Sequence, residues 1–334
     1  MAKLHYVDDD LAGITRRKVR GGKWAYFTPE GARITDRDEI DRLNAIALPP
    51  AYENCWFAPR ADAHLLAYGY DAAGRKQYRY HPDYRSEREA LKFDLCPRFG
   101  QSLPTLRKRV AEDLAGRGLT ADRAIASVVS LLDTGAIRIG NECYARTNKS
   151  FGATTLRTRH ASITRKLLRL RFKGKSGKLQ EIDCDDPALV RCVRRMQELP
   201  GQHLFQYLDE DGMPTPVHSH DVNAYLHETM GEDFTAKDFR TWAASAIAFG
   251  MVWQDRDITL KALMAEVSDK LGNTPAIARK SYVHPDVVAA VKGLDGEQRI
   301  LPERLPRKTR WLSREERGLL AFLESEEGEA VLAA

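Results

Sequence analysis

The stretch KLGNTPAIARKSYVHP (270–285) sets Tyr282 behind Arg279 and Lys280 and nine residues after Asn273. A phenol in cationic company is a group that can attack phosphorus, and cleavage of a phosphodiester by a side chain makes definite demands. The transition state spreads negative charge over the non-bridging oxygens and calls for fixed cationic donors. Arginine suits this, because its fork is always charged and matches phosphate geometry. The departing alkoxide needs a proton, which a lysine can supply. The attacking group can be a tyrosine, whose phenol has an unperturbed pKa of about 10 and must be activated by its surroundings. The minimal kit is two arginines, a lysine and a tyrosine, with one more hydrogen-bond donor to phosphate. Taken alone, the stretch reads as a helix with a basic exposed edge and one half-buried ring.

The rest of the chain must supply and position such a kit. Its 334 residues are 43% hydrophobic and 30% charged, a globular composition of a length suited to two or three domains. The net charge of +5 points only weakly to a polyanion, but its distribution says more. Arg157 to Lys178 holds nine Lys or Arg and no acid, and ITRRKVRGGKWAYF (14–27) is basic with aromatics. Two such blocks favour a nucleic-acid surface. Five cysteines without a CxxC pair read as reduced thiols in a cytoplasmic, nucleoid-associated protein. No apolar run approaches the ~20 residues of a membrane span, and the start lacks the apolar core of a signal peptide. The HxHD at His218–Asp221 reads as a helix start, with Ser219 or Asp221 as the cap, because no further metal ligands converge on it.

Periodicity divides the chain. WAYF (24–27), CWFA (55–58), HLLAYGYD (64–71) and RKQYRYH (75–81) are strand-like, with DAAG (71–74) as the turn of a hairpin. DRDEIDRLNAI (36–46) reads as a helix capped by Asp36, with Glu39 completing a capping box, and stops at the prolines of LPPAY (48–52). Helical spacing then recurs over 104–116, 120–135, 187–199, 219–230, 235–250 and 258–272. Between them TLRTRHASI, KLLRLRF and KLQEIDC alternate like strands, with KGKSG (173–177) as a turn. The expected fold is α+β in two lobes: a small N-terminal mixed β-sheet domain and a mainly helical domain with a three-stranded insert. The domains are placed at 1–86, 87–294 and a tail at 295–334, whose Leu319, Leu320 and Leu323 form one helical stripe that packs on the helical domain. A hinge between the lobes is expected within 84–100.

Four segments, AIRIGNECY (136–144), RFKGKSG (171–177), AKDFRTW (236–242) and LGNTPAIARKSY (271–282), resemble in order the catalytic segments of type IB DNA topoisomerases. The resemblance is to the poxvirus-like enzymes and their bacterial relatives, and GYDAAGRKQYRYH (69–81) extends it into the N-terminal lobe. Each segment is weak alone. Their order, the 37-residue step from Arg138 to Lys175 and the nine-residue step from Asn273 to Tyr282 make the set specific.

The resemblance implies that Tyr282 attacks the scissile phosphate, forming a 3′-phosphotyrosyl link and releasing a 5′-hydroxyl. It implies that Arg138 and Arg240 clamp the non-bridging oxygens, that Lys175 is the general acid, and that Lys237 supports the phosphate site. Tyr144, Tyr78 and Tyr80 match DNA-contacting positions, and Gln77 is placed to reach a base edge. Asn273 stands where the family often has histidine; it can donate to a phosphate oxygen but carries no charge. The implied partner is double-stranded DNA, held by a monomer closing as a clamp, with no nucleotide, metal or cofactor. No Walker GxxxxGK[ST] segment is present.

Singly, each residue has a plainer role: Arg138 as a cation at a helix C-terminus, Lys175 as a solvated lysine, Arg240 as a surface partner of Asp238 or Glu232, Asn273 as an ordinary residue after Gly272. Two other functions fit the kit. Tyrosine recombinases share it, but usually carry histidine where this chain has Lys237, and have a helical N-terminal lobe. A non-catalytic DNA-binding protein on the same scaffold would form no covalent adduct.

Overall fold

A computed structural model describes residues 4–19, 24–231, 234–291 and 300–325. The chain forms two compact units, divided between Lys92 and Phe93. The first contains β1 (Ile14–Lys18), β2 (Trp24–Phe27), α1 (Arg37–Ala45), β3 (Glu53–Phe57), β4 (Leu65–Tyr70) and β5 (Lys76–Tyr80). The strands form one antiparallel sheet in the order β2-β1-β3-β4-β5. Residues of β4 alternate strictly between buried and half-buried, as a sheet with one face on a core requires. That core gathers Ile14, Tyr26, Leu43, Phe57 and Ala67. Asp36 caps α1 by accepting from Asp38 N–H, but Glu39 turns to pair with Arg42 at 2.6 Å instead of closing a capping box. β1 falls in the basic stretch that read only as a charged surface. Its Arg16 turns inward, donating to the carbonyls of Leu48 and Pro49 at 2.8 and 2.6 Å. Those carbonyls lie where the prolines end α1 and leave acceptors to be filled.

The second unit is mainly helical. α2 (Pro82–Ala115) begins upstream of it, followed by α3 (Ala121–Gly135), α4 (Glu142–Asn148), β6 (Ala161–Ile163), β7 (Leu168–Lys173), β8 (Leu179–Cys184), α5 (Pro187–Gln197), β9 (Gln206–Leu208), β10 (Pro214–Pro216), α6 (Ser219–Met230), α7 (Asp238–Gln254), α8 (Leu260–Leu271), α9 (Pro275–Ser281), α10 (Pro285–Ala289) and α11 (Arg314–Glu324). The expected hinge segment 84–100 is helix. α2 runs through Pro97 and Pro104, each of which removes a backbone donor from it and sets its ring against the carbonyl one turn back. β6-β7-β8 form the three-stranded insert, and β9 and β10 a hairpin that periodicity did not reveal in so short a run. Asp221 caps α6 by accepting the His218 N–H at 2.7 Å, and Ser219 is its first helical residue. Among the described residues no helix is long and apolar enough to cross a membrane.

The second core joins Phe99, Leu103, Leu132, Phe239, Phe249, Leu319 and Phe322, so α11 packs on this unit through Leu319 and Leu323. Residues 295–299 and 326–334 of the tail lie outside the described set. One polar node ties α11 to the helices beneath. Arg107 of α2 pairs with Asp133 of α3 at 2.7 and 2.9 Å, with Glu316 of α11 at 2.6 and 3.0 Å, and with the Trp311 carbonyl. These use all five guanidinium donors. Glu316 also accepts from Trp242 Nε1 of α7 at 3.1 Å and from Ser313 N–H. Burial pushes the Glu316 carboxyl up, but the hydrogen bonds and charge of Arg107 outweigh it and hold it below the ordinary range.

Arg107→Ala would strand two largely buried carboxylates, and the expected loss of stability is about 3–5 kcal/mol, read by urea unfolding. Because the folded pKa of Glu316 is depressed, its contribution is complete above the unfolded value of about 4.3 and is lost as pH falls through and below it. Glu316→Gln should therefore flatten the acid limb of the Tm–pH curve; an unchanged limb would assign acid sensitivity to other groups.

Candidate active site

The site is built on the ends of two helices. α3 stops at Ala136, which takes the left-handed conformation (φ 46°), and α8 stops at Gly272 (φ 64°). Helix ends leave carbonyls without partners and carry partial negative charge. Arg240 of α7, only 4% exposed, fills them: Nη1 donates to the Ala136 carbonyl and Nη2 to the Leu271 carbonyl at 2.9 Å. Two residues beyond each of these carbonyls the chain places Arg138 and Asn273. Arg138 Nη2 donates to Asn273 Oδ1 at 2.6 Å. The Tyr282 ring lies against the Arg240 guanidinium, with Cζ 4.8 Å from the ring centroid. Four of the sequence-identified residues thus converge, from three of the four motif segments.

Among the described residues, the buried Arg240 Nε and Asn273 Nδ2 have no hydrogen-bond partner, while the Arg240 guanidinium as a group also hydrogen-bonds the Tyr282 side chain. Such groups are costly to bury unsatisfied. Burial draws the Arg240 guanidinium below its usual range, and the like charge of Arg138 adds to this, while Tyr282 works in the other direction. Two guanidiniums and two orphaned donors describe a receptor for a tetrahedral oxyanion.

Local structure explains the placement of each part. Tyr282 ends α9, its N–H on the Ala278 carbonyl at 3.1 Å. Ser245, fully buried on the same helix as Arg240, accepts the His284 N–H at 2.9 Å and lies 3.3 Å from the Tyr282 carbonyl. One helix therefore sets both Arg240 and the backbone around the tyrosine. Ser245 escaped the sequence reading because a lone serine in an apolar helix gives no local signal. The Arg138 segment is clamped by close backbone approach: the Ala153 N–H donates to the Arg138 carbonyl at 2.8 Å, and a Cβ on Gly152 would fall 2.4 Å from that oxygen.

Lys175 is exposed on the turn between β7 and β8, where Ser176 and Gly177 take positive φ. The hairpin is docked on the Asn273 loop. Lys178 Nζ donates to the Asn273 carbonyl at 2.6 Å, and Gln180 packs so closely on Gly272 that a Cβ there would meet its Nε2 at 2.6 Å. Among the described residues Lys175 makes no hydrogen bond or ion pair with the converged four, so the structure brings its turn, and not its ammonium, to the cluster. The basic block around it is partly neutralised: Arg157 pairs with Glu142, Arg169 with Asp183 and Arg171 with Glu181. Lys237 is exposed at the start of α7, one turn before Arg240, and Tyr144 is 40% exposed on α4.

Gln77, Tyr78 and Tyr80 lie on β5 of the first unit. The Tyr78 and Tyr80 rings stack at 5.8 Å and are 42% and 38% exposed, a surface aromatic pair. Gln77 Nε2 donates to Asp71 at 3.0 Å, so an amide that reads a base edge must first leave the hairpin turn.

Comparison with known proteins bears on this cluster. Residues 81–289 match the family model of the eukaryotic DNA topoisomerase I catalytic core, and residues 23–71 that of the bacterial DNA topoisomerase IB N-terminal domain. The chain is 32% identical over 288 residues to DNA topoisomerase 1B of Acanthamoeba polyphaga mimivirus, covering 82% of this chain and 85% of that one. It is 21% identical over 245 residues to DNA topoisomerase 1B of Vaccinia virus (strain Western Reserve), covering 72% and 76%. Among solved structures, the XerH site-specific recombinase bound to difH substrate in a pre-cleavage complex aligns with a TM-score of 0.36 and 12% identity, over 54% of this chain and 48% of that one.

If the orphaned donors are an oxyanion receptor, sulfate above its Kd should raise the Tm with the logarithm of its concentration, beyond chloride of equal ionic strength. At ten times its Kd the gain is ~1.4 kcal/mol from mass action alone. Arg138→Ala should abolish the sulfate-specific part; an equal response in both proteins would contradict the assignment.

Proposed function

The chain belongs to the type IB DNA topoisomerases and is an isomerase of DNA, and from that premise we propose that it relaxes supercoiled duplex DNA through a transient 3′-phosphotyrosyl nick. Tyr282 Oη releases its phenol proton to water and attacks the scissile phosphorus as the P–O5′ bond breaks, and water returns a proton to Lys175 after it has protonated the leaving oxygen. Arg138, Arg240 Nε and Asn273 Nδ2 hold the non-bridging oxygens, on which charge accumulates. Lys175 delivers its proton to the departing 5′-oxygen, and the same groups run the reverse step once the strand has swivelled. The bond energy is kept in the phosphotyrosine, so the cycle needs neither ATP nor metal.

The observation that carries this reading is the convergence of Arg138, Asn273 and Arg240, with the Tyr282 ring on the Arg240 guanidinium. Arg240 Nε and Asn273 Nδ2, buried and without a hydrogen-bond partner among the described residues, would both be satisfied by phosphate oxygens. Lys175 reaches its acid role by a movement of its side chain on the turn, whose hairpin is already fixed to the Asn273 loop. Lys237 adds positive charge one helical turn from Arg240. Tyr78, Tyr80 and Tyr144 meet the duplex, and Gln77 a base edge, as a monomer closes around DNA in the cytoplasm.

Tyr282→Phe should form no covalent adduct on a denaturing gel and leave supercoiled plasmid unrelaxed in EDTA without nucleotide. Lys175→Ala should slow single-turnover cleavage by about 10²–10⁴, the range of a general acid. A 5′-thiolate leaving group, with a thiol pKa of about 8.5, needs no proton at departure and should restore the rate. Equal defects on both substrates would make Lys175 an electrostatic group and not the acid.

A further inference from the structure

A second cationic feature lies on the same unit, next to the Arg138 segment. An open groove of about 660 Å³ runs between the last turn of α3 and the segment that leads into α11, lined by Arg107, Asp133, Thr134, Lys308, Arg310 and Ser313 among others. Arg107 and Asp133 cancel one another in the buried node. Lys308 and Arg310 remain, both exposed and, among the described residues, without a carboxylate partner.

These two cations stand on a pinned base. Arg107 donates to the Trp311 carbonyl, Arg317 of α11 donates to the Arg307 carbonyl, and Thr309 closes a turn by donating its N–H to the Leu312 carbonyl at 2.9 Å. The Thr309 hydroxyl oxygen accepts from Leu312 N–H at 3.0 Å. Arg310 rests on the Trp311 ring, its Cζ 4.6 Å from the centroid. A backbone tied at this many points holds Lys308 and Arg310 in one region instead of letting them sweep through solvent. They are cations pre-placed for something negative.

The chain bounds the distance from the α3 edge of the groove to Arg138. Thr134 of the groove is four residues before Arg138, so their Cα atoms are at most ~14 Å apart. A B-form duplex carries a phosphate charge about every 1.7 Å of axis, so that span presents roughly eight. We propose that the groove holds backbone phosphates of the same duplex whose scissile bond lies at Arg138, with Lys308 and Arg310 as the contacting cations. This gives the C-terminal segment a part in substrate binding. It rests on the DNA reading above.

The test is the salt dependence of binding. Each phosphate contact contributes about −0.9 to the slope of log Kobs against log salt on B-DNA. In a Tyr282→Phe background, which stops the reaction at binding, a duplex of ~24 base pairs would be titrated by fluorescence anisotropy across salt. The Lys308→Ala/Arg310→Ala pair should make the slope shallower by about 1.8, with the Tm kept as a check on folding. An unchanged slope overturns the proposal. A difference seen only with supercoiled plasmid and not with the short duplex also overturns it, since the groove would then serve a second, crossing duplex. Adduct formation by the unsubstituted chain on the same duplex reports separately on the cleavage reading: a slope change without any adduct would keep the groove and remove the enzyme.

Discussion

The arrangement depends on one buried guanidinium answering two helix ends. α3 and α8 each finish with carbonyls that need donors, and the Arg240 fork supplies both. In doing so it fixes the distance between the two chain segments that immediately follow, and these carry Arg138 and Asn273. The hydrogen bond between those residues is a consequence of that spacing. An arginine suits the task because its planar fork serves two acceptors and leaves Nε for a third. Two of the five Arg240 donors thus assemble the site, and Nε is left buried and without a partner among the described residues.

Other interactions extend this constraint outward. Ser245 fixes the backbone around Tyr282 to the helix that carries Arg240, so tyrosine and guanidinium share one rigid support. The Arg107 node bonds Trp242, two residues past Arg240, and Asp133, five residues before Arg138, to α11. The C-terminal helix thereby braces both elements that present arginines. The Glu316 carboxylate makes that brace sensitive to acid in a way an apolar contact would not be. Separately, the Asn273 loop is held from the hairpin side through Lys178, which sets the Lys175 turn beside the cluster while leaving its ammonium in solvent.

Much of this was legible in the residues. Alternation marked β4 and β5, helical spacing marked α3 and α5 to α8, and Thr120 and Gly272 marked their helix boundaries, because each is a local effect of backbone chemistry. The converging residues were legible through the order of short motifs. What stayed hidden was tertiary. Arg16 and Arg157 looked like surface charge, yet one fills carbonyls left by a proline stop and the other pairs with Glu142. Pro104 looked like a helix start, yet α2 runs through it. Ser245 carried no signal, since its role exists only once α7 packs beside the segment after α9. The groove residues Lys308 and Arg310 gained meaning only from the fold's return of the tail to the end of α3.

The central claim is that Arg240 acts through its planar fork and not merely through its charge. Arg240→Lys keeps the charge but cannot serve two carbonyls and a phosphate oxygen together. Its single-turnover cleavage of a duplex under saturating protein, measured beside circular dichroism as a check on folding, tests this directly. The account predicts a fall of about 10²-fold or more in a protein that retains its helices, the size expected for loss of a preorganised oxyanion donor. A folded Arg240→Lys chain that cleaves within about threefold of the unsubstituted rate would contradict it.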